Sequence, residues 1–392
     1  MIPSGSQVLI NPISANIARS YLQRTFGWQP ESEGHAPLTV FIRYFKELPP
    51  AAYVSAAEVF PDLCQIVQTP DKQSVFLIAA NLLSFSRIIG FFSAADGQRW
   101  LQDIELLLER LPEPCFRIRD QTWRNDRPRI MGILNITPDS FFDGGQYYQR
   151  DDYGTIADRL IQAGADIIDI GGESSRPGAL AVSEEEEMNR VLKVISQIRK
   201  RFHIPISIDT VKPVVADAAL SAGADMVNDI SGLAAGLEML QIVRKHDAGY
   251  CLMHIQGTPE NMQRAPRYGD IIGEIHQFFR TKLQLCEEAG LEKDRILLDP
   301  GIGFGKTVLN NMDILRLLPA FSNLGCLLLL GTSNKSFIGK ILKRDPEERL
   351  HGTMASQALG WVQGASVFRV HSVEQARDTL EIARCHTADL QD

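Results

Sequence analysis

From Arg129 to the carboxyl terminus, short apolar runs alternate with longer stretches in which apolar positions recur every three or four residues. The short runs are 130–137 (IMGILNIT), 166–171 (DIIDIG), 205–209 (PISID), 226–230 (MVNDI), 250–255 (YCLMHI), 296–300 (ILLDP), 326–331 (CLLLLG) and 366–371 (SVFRVH). Nearly continuous apolar character at this length predicts parallel strands covered on both faces.

The intervening stretches read as helices. Ser183 stands before Glu184, Glu185, Glu186 and Glu187, an N-cap with acids in the first turn. Met188, Val191, Leu192, Ile195 and Ile198 then form an apolar face, and Arg199, Lys200 and Arg201 close the helix with the charge its dipole favours. Two helices end alike, in Ala163-Gly164-Ala165-Asp166 and Ala222-Gly223-Ala224-Asp225, each with a helix-stopping glycine just before a strand. A last helix over 373–384 carries Ala376, Leu380 and Ala383 inward.

Eight such strand–helix units predict an α/β fold of the TIM-barrel type, (βα)8. A doubly wound open sheet competes, but it would carry a glycine-rich dinucleotide turn after its first strand, and none stands there. Residues 1–128 lack the rhythm. Here 38–45 (LTVFIRYF) reads as a strand and 75–92 as one or two further elements. A helix is expected over 95–111, with Trp100, Ile104, Leu107, Leu108 and Leu111 on one face. The expected organisation is a smaller α/β or α+β domain over 1–111, of unassigned function, a linker over 112–128, and the barrel over 129–392.

Composition narrows the function. The 392 residues hold 40 Lys+Arg against 48 Asp+Glu, a net charge of −8. No broad basic surface is then available for nucleic acid, and an anionic ligand must be gripped by a few well-placed groups. The six cysteines form no C-x-x-C pair and read as small hydrophobes in a reducing compartment. The first residues show no basic segment followed by an apolar one, so a cytoplasmic location is expected. The most apolar run, 75–92, contains Asn81, Ser84, Ser86 and Arg87, and no membrane partner is expected.

In a parallel barrel the chemistry sits at the carboxyl ends of the strands. Polar groups gather at all eight of them: Asn135; Asp169 and the loop to Pro177; Asp209; Asn228 and Asp229; His254 after Met253; Asp299 before Gly301–Lys306; Ser333–Ser336; Arg369 and His371. A barrel serving only as a scaffold needs no such ring. Single members stay ambiguous. Asp169 suits a satisfied core carboxylate as well as a site group, and Asp209, Asn228 and Asp299 suit helix caps as well as ligands. His254 suits a backbone hydrogen bond, and Lys306 a loop charge or a phosphate contact. Arg369 and His371 alternate about Val370, which places both on one side of a strand.

Together the groups form two sets. Arg369, His371, Asn135 and the loop acid Asp143 suit a diphosphate and a divalent metal, because Arg forks onto phosphate oxygens and Asn and Asp give hard ligands. Asp209, Asn228, Asp299 and Lys335 suit the donor and acceptor edges of an aminopyrimidine-like heterocycle. No Ser or Cys is paired with a His as a nucleophile, which disfavours acyl transfer.

The segments GILNITPDSFFDGG (132–145), DIGGESSRP (169–177), SIDTVK (207–212), DPGIGFGKT (299–307), SNKS (333–336) and RVH (369–371) resemble, in this order, the signatures of dihydropteroate synthases. The resemblance covers the barrel and not the first 128 residues. It implies condensation of 6-hydroxymethyl-7,8-dihydropterin diphosphate with p-aminobenzoate, in folate biosynthesis, giving 7,8-dihydropteroate and diphosphate. It implies that Asp209, Asn228, Asp299 and Lys335 bind the pterin, with Met253 and Phe304 lining its slot. Asn135, joined by Asp143, would hold Mg2+, and Arg176, Arg369 and His371 would surround the diphosphate. Phe141, Ser175, Arg176, Pro177 and Ser336 would frame p-aminobenzoate. Asp143, Arg176, Lys335, Arg369 and His371 would then be the catalytic set, in an enzyme acting as a homodimer.

Two residues depart from the family pattern: Ser175 stands where Thr is usual, and Asn334 where Arg is usual. Two other readings compete. A methyltetrahydrofolate-dependent methyltransferase would share the barrel and the pterin carboxylates, but would not need the TPDSF loop or the Arg/His pair. A catalytically silent pterin-binding partner of an active paralogue would account for Asn334 and the unassigned first domain.

Overall fold

The computed structural model describes strands β1 (Asn11–Ile13), β2 (Thr39–Tyr44), β3 (Cys64–Gln68) and β4 (Val75–Ala79), and residues 114–136, 152–174 and 182–387. The chain divides into two compact units, one of 1–112 with 319–323 and the other of 113–318 with 324–392. In the first unit the four strands pair antiparallel in the order β1-β2-β4-β3. The helix expected over 95–111 lies outside the described residues.

The second unit is a closed barrel of eight parallel strands: β7 (Arg129–Asn135), β8 (Ile167–Gly171), β9 (Ile206–Asp209), β10 (Met226–Asp229), β11 (Gly249–Met253), β12 (Ile296–Asp299), β13 (Leu327–Leu330) and β14 (Val367–Val370). Each coincides with an expected strand to within two residues at either end. Around it run α1 (Tyr153–Gln162), α2 (Glu184–Arg201), α3 (Pro213–Ser221), α4 (Leu237–Lys245), α5 (Ile271–Glu288), α6 (Val308–Arg316), α7 (Ser336–Leu342), α8 (Leu350–Val362) and α9 (Val373–Thr387).

The two Ala-Gly-Ala-Asp turns show why the units close. Gly164 and Gly223 take φ of 101° and 109°, a region that only glycine enters without strain. The aspartate that follows fixes a neighbouring strand. Asp166 accepts from the backbone N–H of Ile130 at 2.8 Å and pairs with Arg377 of α9 at 2.6 Å. Asp225 accepts from Ile206 at 2.8 Å and pairs with Arg199 of α2 at 2.5 Å.

Residues 112–128 are not a bare linker. They hold a hairpin, β5 (Phe116–Ile118) and β6 (Gln121–Trp123), whose Phe116, Ile118 and Trp123 are buried against Met131, Ile167, Met226, Leu327 and Val367, residues near the amino ends of the barrel strands. Arg117 pairs with Asp294 at 2.5 Å and Arg119 with Asp225 at 2.9 Å, both just before barrel strands. The hairpin therefore stoppers the amino-terminal mouth, which leaves the carboxyl ends of the strands for chemistry.

Candidate active site

At the carboxyl mouth the register sets a ring. Asn135 on β7 lies opposite Gly171 on β8, Gly171 opposite Asp209 on β9, and Asp209 opposite Asn228 on β10. Met253 of β11 lies opposite Asp299 of β12. Gly171 leaves the room between its neighbours: a Cβ there would lie 3.2 Å from Oδ1 of Asn135 and 3.7 Å from Asp209. Asp209, Asn228 and Asp299 are all buried. Neither Asp209 nor Asn228 caps a helix; α3 starts after Lys212 with no side-chain cap.

Arg369, on β14, reaches into the middle of the ring. Its Nε donates to Oδ2 of Asp169 at 2.6 Å and its Nη2 to Oδ2 of Asp209 at 2.7 Å. Asn228 donates to the same Asp169 oxygen at 3.3 Å. Burial raises the Asp209 carboxyl to about 7, with Asp169 and Glu187 adding to the rise and Arg369 and Lys335 opposing it. The Asp299 carboxyl is also raised by burial, against the pull of the Gly301 N–H at 2.7 Å and of Lys335, Lys306 and Arg369. Lys335 falls to about 8, mainly through burial and the nearby Arg369 charge. Its ammonium stands 3.9 Å from the centre of the Phe304 ring, a cation–π contact.

Met253 and Phe304 form an apolar patch with Met262, and Ile230 and Ile255 pack against it. The site thus joins a flat apolar surface to two buried carboxylates, an amide and two cations. That is the composition needed to hold a planar ring with several N–H donors.

Other expected members sit differently. β14 ends at Val370, so His371 leaves the strand, is exposed, and meets Ser333 with Nδ1 2.9 Å from its hydroxyl. Ser336 opens α7 and is also exposed. Phe141, Asp143, Ser175, Arg176 and Pro177 lie outside the described residues. Lys306 is buried, with Nζ 3.0 Å from Nδ1 of His254 and donating to the carbonyls of His254 and Phe304, so it braces the glycine-rich turn.

One cluster is not singled out by the sequence pattern, although two of its members, Glu173 and Lys212, stand in the segments 169–177 and 207–212. Nζ of Lys212 donates to Glu173, to Glu187 at 2.6 Å and to the carbonyl of Val182 at 2.8 Å, tying both stems of the segment that follows β8 to the strand bearing Asp209. Glu187 reads as one more first-turn acid of α2; only the fold shows that it is buried.

Comparison with known proteins agrees with this arrangement. Residues 131–371 match the family of pterin binding enzymes. The chain is 48% identical over 258 residues to a dihydropteroate synthase of Synechocystis, covering 66% of this chain and 89% of that protein. It is 44% identical over 255 residues to that of Escherichia coli, covering 65% and 90%. The structure of Yersinia pestis dihydropteroate synthase with a sulfonamide drug complex superimposes with a TM-score of 0.67 at 40% identity, over 70% of this chain and all of that one. The Xanthomonas albilineans enzyme in complex with 7,8-dihydropteroate does so with a TM-score of 0.63 at 37% identity, over 71% of this chain and all of that one. A barrel of this topology, a ring of buried polar groups at its carboxyl mouth and relatives matched over nearly their whole length lead to one assignment: the chain belongs to the dihydropteroate synthase family of pterin-binding enzymes.

Proposed function

We propose that this chain condenses 6-hydroxymethyl-7,8-dihydropterin diphosphate with p-aminobenzoate, using the strand-end ring as its machinery. The observation that carries the reading is the junction of Arg369 with Asp209 inside a pocket that also holds Asn228, Asp299 and Lys335. Asp209, Asn228 and Asp299 meet the polar edge of the pterin, and Met253 and Phe304 cover its face. In the reaction the bond from the pterin methylene to the diphosphate oxygen breaks, the arylamine nitrogen bonds to that methylene, and the amine gives up a proton. Charge builds on the departing diphosphate, and Arg369 is placed to offset it. Its Nε and Nη2 face the two aspartates, while Nη1 has no acceptor among the described residues, leaving that nitrogen for an anion. Asp209 and Asp299 offset cationic character on the ring. Lys335, lowered to about 8 by burial and the nearby Arg369 charge, donates to the pterin or its leaving group. Arg176 and His371 complete the anion site, and Phe141, Ser175, Pro177 and Ser336 frame p-aminobenzoate.

Among the described residues no three His, Cys, Asp or Glu side chains gather to hold a metal by themselves. Asn135 offers one hard oxygen beside Asp209, which fits a cation that takes the rest of its shell from water and diphosphate. Mg2+ is that kind of cation, and Asn135 with Asp143 would hold it. When bound it would neutralise diphosphate charge.

No helix among the described residues is long and apolar enough to cross a membrane. The buried free thiols of Cys251, Cys286 and Cys326 suit a cytoplasmic location. Leu359 and Val362 on α8 and Ile382 on the adjoining α9 are exposed, which supports a homodimer through this side of the barrel.

The test is to supply the full chain with both substrates and Mg2+ and to follow dihydropteroate and diphosphate together. Equal formation of both is the expected result, with turnover lowered by orders of magnitude in Arg369→Ala. Tight pterin binding without any product would instead fit the silent partner.

A further inference from the structure

We infer that Asp169 is a positioning residue that aims both the anion-binding arginine and the pterin-binding amide. It lies on β8 two residues before Gly171, one layer below the pocket, opposite Ile133 and Ser207 on the flanking strands. Fully buried, it cannot touch substrate. Neither Ile133 nor Ser207 opposite it carries a charge to balance it, and an ionised carboxylate buried this deeply is costly unless it is paired. Its pairing is directed upward, to the site. Oδ2 accepts from Nε of Arg369 at 2.6 Å and from the Asn228 amide at 3.3 Å, and Oδ1 has no partner. A carboxylate kept for the stability of the barrel would have both oxygens served.

The consequences for the two partners differ. Arg369 has its Nε/Nη2 edge held by two carboxylates from two strands, Asp169 and Asp209, so the plane of the guanidinium is fixed before an anion arrives. Asn228, with Nδ2 committed to Asp169, is left with its amide oxygen as the group to offer a ring N–H. One oxygen of Asp169 therefore sets the orientation of groups on β10 and β14. This rests on the proposed reaction only for the meaning of turnover; the aiming itself is also read out by binding.

The experiment uses the full chain as Asp169→Asn, Arg369→Ala and the double variant, with two readouts. The first is affinity for 6-hydroxymethylpterin by calorimetry, which needs no turnover. Asp169→Asn and Asn228→Ala are each expected to lose about tenfold. The second is steady-state kinetics. For Asp169→Asn, kcat falls by about 30-fold or more while the p-aminobenzoate KM stays within about twofold. In kcat the double variant is within about threefold of Arg369→Ala, because with the arginine gone Asp169 has no anion-binding group left to aim. Wild-type pterin affinity and kcat in Asp169→Asn would overturn the inference, as would kcat losses that multiply in the double variant. A wild-type chain that makes no product would sink the reaction but leave the binding readout to decide. Should Asp169→Asn not fold, Arg369→Lys asks the same question, since lysine has no fork to span both carboxylates. A kcat as low as that of Arg369→Ala is expected, and a near-normal one would overturn the inference.

Discussion

Nζ of Lys306, on the glycine-rich turn after β12, lies 3.0 Å from Nδ1 of His254, just past the end of β11, with both residues buried. Burial, helped by the Lys306 charge, lowers His254 to about 2, so the imidazole is a neutral acceptor. Burial lowers Lys306 itself to about 7, against the pull of Asp299. A depressed lysine pKa gives stability that is present above the unfolded value of 10.5 and is lost as the pH falls through 7. The stability difference between the wild type and Lys306→Met should therefore favour the wild type more at pH 9.5 than at pH 6.5. Thermal melts of both proteins across that range check it; a constant difference would show that Lys306 does not titrate in the fold.

The hairpin stopper gives a second expectation. Trp123 is 1% exposed and its ring packs 5.7 Å from that of Phe116, with the Arg129 guanidinium 5.8 Å from the indole. Trp123→Ala should cost about 3–5 kcal/mol of barrel stability, by loss of buried area and the cavity left behind. Urea denaturation of the full chain measures it. A cost under about 1 kcal/mol, the range of ordinary surface changes, would mean that the hairpin is dispensable.

The sequence revealed the barrel well and the stopper poorly, for the same physical reason. Parallel strands buried on both faces are uniformly apolar, and the repeated Ala-Gly-Ala-Asp turns punctuate them, so eight units stand out. Strands of three residues carry no readable period, and the prolines and charges around Phe116 and Trp123 look like solvent-exposed chain. The strand-end ring was legible because a polar group at the end of an apolar run is conspicuous. What those groups do to one another was not. Asp169 binding upward to Arg369, Glu187 turned inward to Lys212, and His371 released by the end of β14 at Val370 all depend on register and tilt, which no local pattern encodes.

Asn334 illustrates how a departure from the family pattern can be tested apart from the fold. It is exposed and sits at φ 56°, a left-handed conformation that asparagine tolerates better than most residues. Its backbone is held on both sides: its N–H donates to Thr353 Oγ1 at 3.2 Å, and its carbonyl accepts from Arg349 at 3.1 Å. Asn334→Gly should leave stability within about 0.5 kcal/mol, whereas Asn334→Val should lose about 1–2 kcal/mol. Asn334→Arg restores the usual family charge next to Lys335, and is expected to lower the p-aminobenzoate KM at a small cost in stability. Chemical denaturation and steady-state kinetics on the three variants separate the two effects. An unchanged KM would mean that this charge has no part in aminobenzoate binding.

The raised pKa of Asp209 links pterin binding to pH. Burial holds the group at about 7 in the fold against 3.8 for the free side chain, so its contribution to stability is full below 3.8 and lost as the pH rises through 7. The folded but empty site is thus reluctant to ionise the acid that a ring N–H needs as its acceptor. Pterin binding must draw off that proton, and affinity for 6-hydroxymethylpterin should rise by about tenfold between pH 6 and pH 8, with one proton released per ligand at the lower end. Lys335, at about 8, sets the upper limit, since above that pH the site loses a cation. Calorimetry in buffers of different ionisation enthalpy measures both the affinity and the proton count. In Asp209→Asn the slope should vanish and affinity should be low at every pH. If the slope survives that substitution, the titrating group is Asp299, the other buried acid of the ring, and Asp209 is ionised before the ligand arrives, held so by Arg369.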